Sequence, residues 1–292
     1  MNAPDSPSEP LLHAVTVDEE ADEAALKLSL VELDVHFKEL IESLTSQGRL
    51  AWPLLLQLIA TYATGIISLA FVGHLGTQEL AAAALGTSFI SVLGRTVIMG
   101  LNGALDTLAS QAFGAGDYAA LPVLFQRSVV FLLLHAIPLA ALLLSLPRLL
   151  ASQQAAGETK LMEMASAYLL YLVPNLFMEC VYRPLNSTLV SQRISRPQAV
   201  VAFLVLPCHI GTNYLFIHVL KFGYLGAAIA MCFATIYSTS LISLYVLISG
   251  MSSRVWGKPS VRMFQEWRHY AALAYPACFM RCAESLGFSL VT

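Results

Sequence analysis

Met99-Gly-Leu-Asn-Gly-Ala-Leu-Asp-Thr-Leu-Ala-Ser-Gln-Ala-Phe-Gly-Ala-Gly116 lies at the inner end of a long apolar run that begins near Leu80. At helical pitch Asn102, Asp106 and Ser110 share one face, and Gly103, Thr107 and Gln111 form the adjacent stripe. A face of small and polar residues packs against protein rather than lipid. An Asp at the centre of a bilayer costs about 2.5 to 3.5 kcal/mol on insertion scales, and is kept for an ion path, a partner or a buried network. The stretch therefore reads as a membrane helix that lines a protein interior. Asn102, Asp106, Thr107 and Gln111 suit hydrogen bonds between helices that fix packing or a gate, a role favoured for Asp106 over ion binding.

The rest of the chain reads as lipid-solvated. Hydrophobic residues make up 57% and charged residues 12%, about half the charged share of a soluble domain. Seven apolar spans are expected, near 50–72, 80–112, 121–147, 164–190, 198–219, 226–249 and 270–292. Each is long enough to cross about 30 Å of hydrocarbon. The fold class is an all-α membrane protein.

With a cytosolic amino terminus, Lys38, Arg49, Arg127, Arg193, Arg196, Arg254, Lys258, Arg262 and Arg268 fall on or beside cytosolic segments. Only Arg148, Lys160 and Lys221 then lie outside, which favours this orientation. Residues 1–47 form an acidic, polar cytosolic tail without the basic start and apolar core of a signal peptide. Disorder is expected as far as about Glu23, followed by a short amphipathic helix through Leu26, Leu30, Val31, Val35 and Leu40. The five cysteines lie in apolar spans without metal-ligand or redox spacing. Phosphate-binding loops, nucleophile elbows and helical His pairs do not occur, so no catalytic residue, metal, cofactor or nucleic acid is expected.

The chain also carries an internal repeat. Leu50-Ala-Trp-Pro53 opens the first span, and Leu273-Ala-Tyr-Pro276 recurs at the same point of the seventh. Pro is well tolerated in a helix's first turn, so the match alone is modest evidence. Its position is the stronger argument: six spans, a linker with Gly250, Gly257 and Pro259, then the same opening. This is the pattern of a transporter built from parallel repeats. Residues 48–250 are expected to form a six-helix lobe, 251–267 a cytosolic linker, and 268–292 the first helix of a second lobe cut short. The alternative is a seven-helix receptor or a membrane fragment that does not transport; the receptor requires an outside amino terminus, against the basic-residue count.

Gly73-His-Leu-Gly76, Ala104-Leu-Asp-Thr107 with Gln111-Ala-Phe-Gly114, Gln192 followed by Pro197, and Asn213-Tyr-Leu-Phe216 before Gly226-Ala-Ala228 carry a family resemblance. So does Trp267, with Pro276 and Cys282-Ala-Glu284 beyond it. In order and spacing the chain from Arg49 to Thr292 resembles eukaryotic members of the multidrug and toxic compound extrusion family. The resemblance implies twelve helices in two six-helix lobes. Between them a cleft opens alternately to either side and exports small organic compounds against protons or sodium. Two positions depart from the family's pattern. Ser91-Val-Leu-Gly94, followed by Arg95, stands where Asn-Val-Thr-Gly is common, and Glu284 is followed by Ser285 and Leu286 rather than aromatics.

Glu284 is the proton-coupling candidate, largely on that resemblance. A carboxylate inside an apolar helix is favoured as the neutral acid, and it can exchange its proton for a cationic group. Pairing with Arg281, three residues back, is the competing role. The first span has no carboxylate, which leans toward protons over sodium. Gln57, Thr61 and Tyr62 form a polar patch in the first span and, with Ser91, are candidates to line the substrate cavity. Packing is an equal alternative for the first three. Glu179 and Arg183 have the spacing of a helical salt bridge and read as a structural pair near Pro184. Asn213 reads as a hydrogen-bonding residue between helices. The expected location is a multi-pass position in the plasma or vacuolar membrane.

Overall fold

A computed structural model describes residues 9–151 and 156–291. Among the described residues every regular element is helical. The first helix, α1, runs unbroken over Glu9–Gly73. Disorder through Glu23 was the expectation, and the helix instead starts fourteen residues earlier than that boundary, at Glu9. The reason is local: Glu19-Glu-Ala-Asp-Glu-Ala-Ala-Leu26 is rich in helix formers, and Pro10 falls in the first turn, where its missing N–H costs nothing. The side chains of Leu26, Leu30, Val31 and Val35, the expected amphipathic face, lie outside the described residues.

The chain divides into two units, Met1–Trp52 and Pro53–Thr292. In the first, Lys38 pairs with Asp34 at 2.7 Å across one helical turn. The Thr45 hydroxyl donates to the Ile41 carbonyl.

The second unit continues α1 and adds eight further helices among the described residues. They are α2 (Thr77–Phe89), α3 (Thr96–Gly114), α4 (Ala120–Ala151), α5 (Ala156–Ser191), α6 (Arg196–Tyr214), α7 (Leu225–Ile248), the short α8 (Ser252–Val255) and α9 (Trp267–Val291). A π-helical turn over Ile90–Arg95 joins α2 to α3 without a break. A second, over Leu215–Val219, ends α6. Six helices are long and apolar enough to cross a membrane: His36–Gly73, Thr77–Gly114, Ala120–Leu146, Lys160–Ser191, Arg196–Val219 and Leu225–Ile248. They coincide with the first six predicted spans, and the seventh predicted span folds as α9.

Helix α5 is the hub, packing against α2, α3, α4 and α7, while α9 lies along α3. One core cluster joins these helices through Ile98, Leu101, Phe131, Leu132, Tyr168, Leu172, Leu176 and Tyr270. A second, built from Phe125, Leu185, Leu189, Val201 and Ile242, closes the end near α8. The α3–α9 crossing depends on glycine: a Cβ at Gly100 would stand 2.5 Å from Cys278 Cα, and one at Gly103 would stand 3.1 Å from Ala277 Cβ. Small residues let two membrane helices approach backbone to backbone.

The segment between α7 and α9 is tied to α4. The Gln126 amide donates to the carbonyls of Trp256 (2.7 Å) and Lys258 (3.0 Å), and its oxygen accepts from the Ser260 N–H at 3.1 Å. Buried Arg127 beside it donates to the Arg262 carbonyl at 3.2 Å and reaches Glu266 at 3.4 Å. The predicted inter-lobe linker is thus an ordered strap with its backbone polar groups satisfied by two side chains of one helix.

Candidate functional site: a polar stripe on α5

Glu179, Arg183 and Ser187 recur at intervals of four on α5, with Tyr182 three residues after Glu179, so their side chains form one stripe. Each meets a polar residue from another helix or from the stripe itself. Glu179 is at the centre. Its two oxygens are divided between two guanidiniums, Arg183 Nε to Oε2 at 2.7 Å and Arg95 Nε to Oε1 at 2.8 Å. The Glu179 side chain is only 8% exposed, whereas Arg95 and Arg183 are 25% and 24% exposed. Two charge-assisted contacts offset the cost of burying this carboxylate, and removing its partners would strand a charge in a low-dielectric interior.

The neighbouring rungs are neutral. Gln57 on α1 donates its amide to the Tyr182 hydroxyl at 3.1 Å. Asn102 on α3, fully packed, donates to Ser187 Oγ at 2.7 Å and accepts from the Ser128 hydroxyl of α4 at 3.4 Å. Asp106 lies one turn from Asn102 on α3, within electrostatic reach of Arg183 and without ion-pair contact to it. Helices α1 and α3 and the π-turn between α2 and α3 therefore send polar side chains to one stripe of α5.

The structure gathers Gln57, Asn102, Asp106, Glu179 and Arg183 from the predicted residues. Ser91 lies in the π-turn, and its carbonyl accepts from the Thr96 hydroxyl at 2.8 Å. Thr61 donates to the Gln57 carbonyl of its own helix, Thr107 does the same to Gly103, and Tyr62 and Gln111 are exposed. Asn213 is expected to bond between helices, but its amide bonds lie within α6, to the carbonyl and Nε2 of His209. The link between helices is made by His209, whose Nε2 is 2.9 Å from Ser68 Oγ and 3.1 Å from the Thr64 carbonyl of α1. A ring nitrogen one turn from the amide competes for it at short range, which is why Asn213 does not reach across. Glu284 stands apart on α9, 53% exposed and paired with Arg281 at 2.7 Å.

Arg95 and Tyr182 join the site without having been expected from the sequence. Tyr182 sits beside Arg183 in sequence and shares the stripe, so helical pitch alone identifies it. Arg95 has no such signal. It reaches Glu179 because the π-turn inserts an extra residue and rotates the helix beyond it, a device that often marks functional positions in helices.

The MatE family model matches residues 53–215, more than half of the chain, and this interval covers every rung of the stripe. The chain belongs to the MatE family. Protein DETOXIFICATION 52 of Arabidopsis thaliana is 30% identical over 256 residues, 86% of this chain and 50% of that protein. Multidrug and toxin extrusion protein 2 of Mus musculus is 32% identical over 243 residues, 83% of this chain and 42% of that protein. Among solved structures, the eukaryotic MATE transporter AtDTX14 superposes with a TM-score of 0.79 at 28% identity, over 85% of this chain and 55% of that one. An outward-facing multidrug resistance MATE transporter shares the fold at 18% identity, with a TM-score of 0.70 over 83% of this chain and 54% of that one. The MatE chain spans about half the length of the curated relatives it matches. Those relatives are extrusion transporters rather than enzymes.

Proposed function

We propose that this chain serves as the first lobe of a secondary active antiporter that exports small organic compounds in exchange for protons, with Glu284 carrying the proton. The observation that carries the reading is the position of Glu284. It is the only acidic residue of α9, which packs along α3 at the glycine crossing, and it is half exposed with a single cationic partner. One carboxylate holds either a proton or a positive charge at full strength, and in the present state the positive charge is Arg281. A cationic group on a substrate can take that place, and protonation expels it, which is the electrostatic basis of exchange. The family's extrusion transporters support the direction of transport, and the basic-residue bias supports a cytosolic amino terminus and strap. A cleft between lobes needs two lobes, of which this chain contributes the first.

The test is the pH dependence of ethidium binding to the chain in lipid nanodiscs. Affinity should fall as pH drops, by up to about tenfold per pH unit. Glu284→Gln should bind weakly at every pH with a flat profile, and Glu284→Asp should keep the profile with a shifted midpoint. An unchanged pH profile in Glu284→Gln would assign coupling elsewhere and leave Glu284 as the salt-bridge partner of Arg281.

A further inference from the structure

The Arg95–Glu179–Arg183 cluster has more positive charge and more hydrogen-bond donors than its own contacts consume. Glu179 spends both oxygens on Nε atoms, one from each arginine. The Nη donors of both guanidiniums have no acceptor among the described residues, and none of them is sealed from the surface. Their side chains are about a quarter exposed, three times the exposure of the carboxylate between them. Two guanidiniums thus flank one anion, each only partly buried and bonded to it through Nε.

The charges facing the cluster from every packed helix are few. Asp106 of α3 faces Arg183 electrostatically but makes no ion pair with either arginine among the described residues. Gln57, Tyr182 and Asn102 are neutral donors and acceptors already bonded to partners. The π-turn that delivers Arg95 replaces the regular hydrogen-bond ladder of a membrane helix, a cost that a simple salt bridge does not require. A planar guanidinium fork matches carboxylate, sulfonate and phosphate oxygens two at a time, and does so most strongly where water is scarce.

We propose that Arg95 and Arg183 form a subsite for an anionic group, a carboxylate, sulfonate or phosphate, on the compound that this lobe handles. The proposal rests on the transporter reading and narrows its substrate class to compounds with an acidic group.

The probe is 1-naphthalenesulfonate, titrated calorimetrically into the chain in zwitterionic nanodiscs. Saturable binding that weakens with salt is expected. Arg95→Gln and Arg183→Gln should each weaken it at least tenfold, while Arg95→Lys keeps part of it. Glu179→Gln should tighten it, because the internal anion no longer competes for the two forks; a purely structural triad predicts no such gain. Where an arginine variant does not fold, the unmodified chain decides, since equal binding of neutral 1-methylnaphthalene would overturn the subsite. No sulfonate binding beside a normal pH response of ethidium overturns the subsite alone and leaves the antiporter reading standing. Loss of both responses overturns both.

Discussion

Buried polar side chains link neighbouring helices at several points, and His209 shows the energetic consequence. Its ring is fully buried, and Nε2, 2.9 Å from Ser68 Oγ and 3.1 Å from the Thr64 carbonyl, joins α6 to α1. His209→Ala deletes the hub and strands the Ser68 hydroxyl, while the Asn213 amide keeps its bond to the carbonyl of residue 209. A stranded group costs about 1–3 kcal/mol. The variant should therefore unfold at markedly lower temperature in detergent than the unmodified chain. His209→Gln, which retains a donor and an acceptor, should recover part of the loss. Equal melting temperatures for His209→Ala and the unmodified chain would show that the link bears no load.

At the scale of elements, two contacts fix where α9 lies: the glycine crossing with α3 and the strap held by α4. Gly100→Leu places a branched side chain where even a Cβ meets the Cys278 backbone at 2.5 Å, so α9 must move off α3. Cysteine crosslinking between Gly103 and Ala277 positions, efficient in the otherwise unmodified chain, should be lost in that variant; crosslinking at the unmodified rate would deny the close approach. Gln126→Ala removes three hydrogen bonds to the strap, and the backbone amides of residues 256–262 should exchange hydrogen at least tenfold faster. Protection unchanged from the unmodified chain would mean that the strap is held by other contacts.

These elements also show which parts of the molecule are legible in sequence. Helical spans are, because hydrophobicity and length follow directly from the bilayer, and so is Glu179 with Arg183, because a four-residue spacing fixes their approach. Arg95 is not, since its contact depends on a π-turn for which Ser91-Val-Leu-Gly94 shows no local signature. Asn213 misleads because helical pitch says which residues are neighbours but not which of two acceptors an amide selects. The acidic tail misleads for a related reason. Charge and low hydrophobicity argue for disorder, whereas Ala, Leu and Glu propensity summed over several turns sustains a helix.

At the scale of the whole molecule, six helices long and apolar enough to cross a membrane, together with α9, match about half the length of the relatives. Its orientation is testable independently of transport. The basic bias places Ser253 in the cytosol and Gln78 outside, so a membrane-impermeant thiol reagent applied to intact cells should label Gln78→Cys and spare Ser253→Cys. Labelling of Ser253→Cys from outside would invert the topology.

The central claim is that an exporting cleft requires two lobes and that this chain provides one of them. Fluorescently tagged chain reconstituted at limiting density, with copies per vesicle counted by photobleaching, allows ethidium flux under a pH gradient to be assigned to copy number. Vesicles holding a single copy should show no flux above empty vesicles, whatever the gradient; robust pH-driven flux from single-copy vesicles would contradict the account.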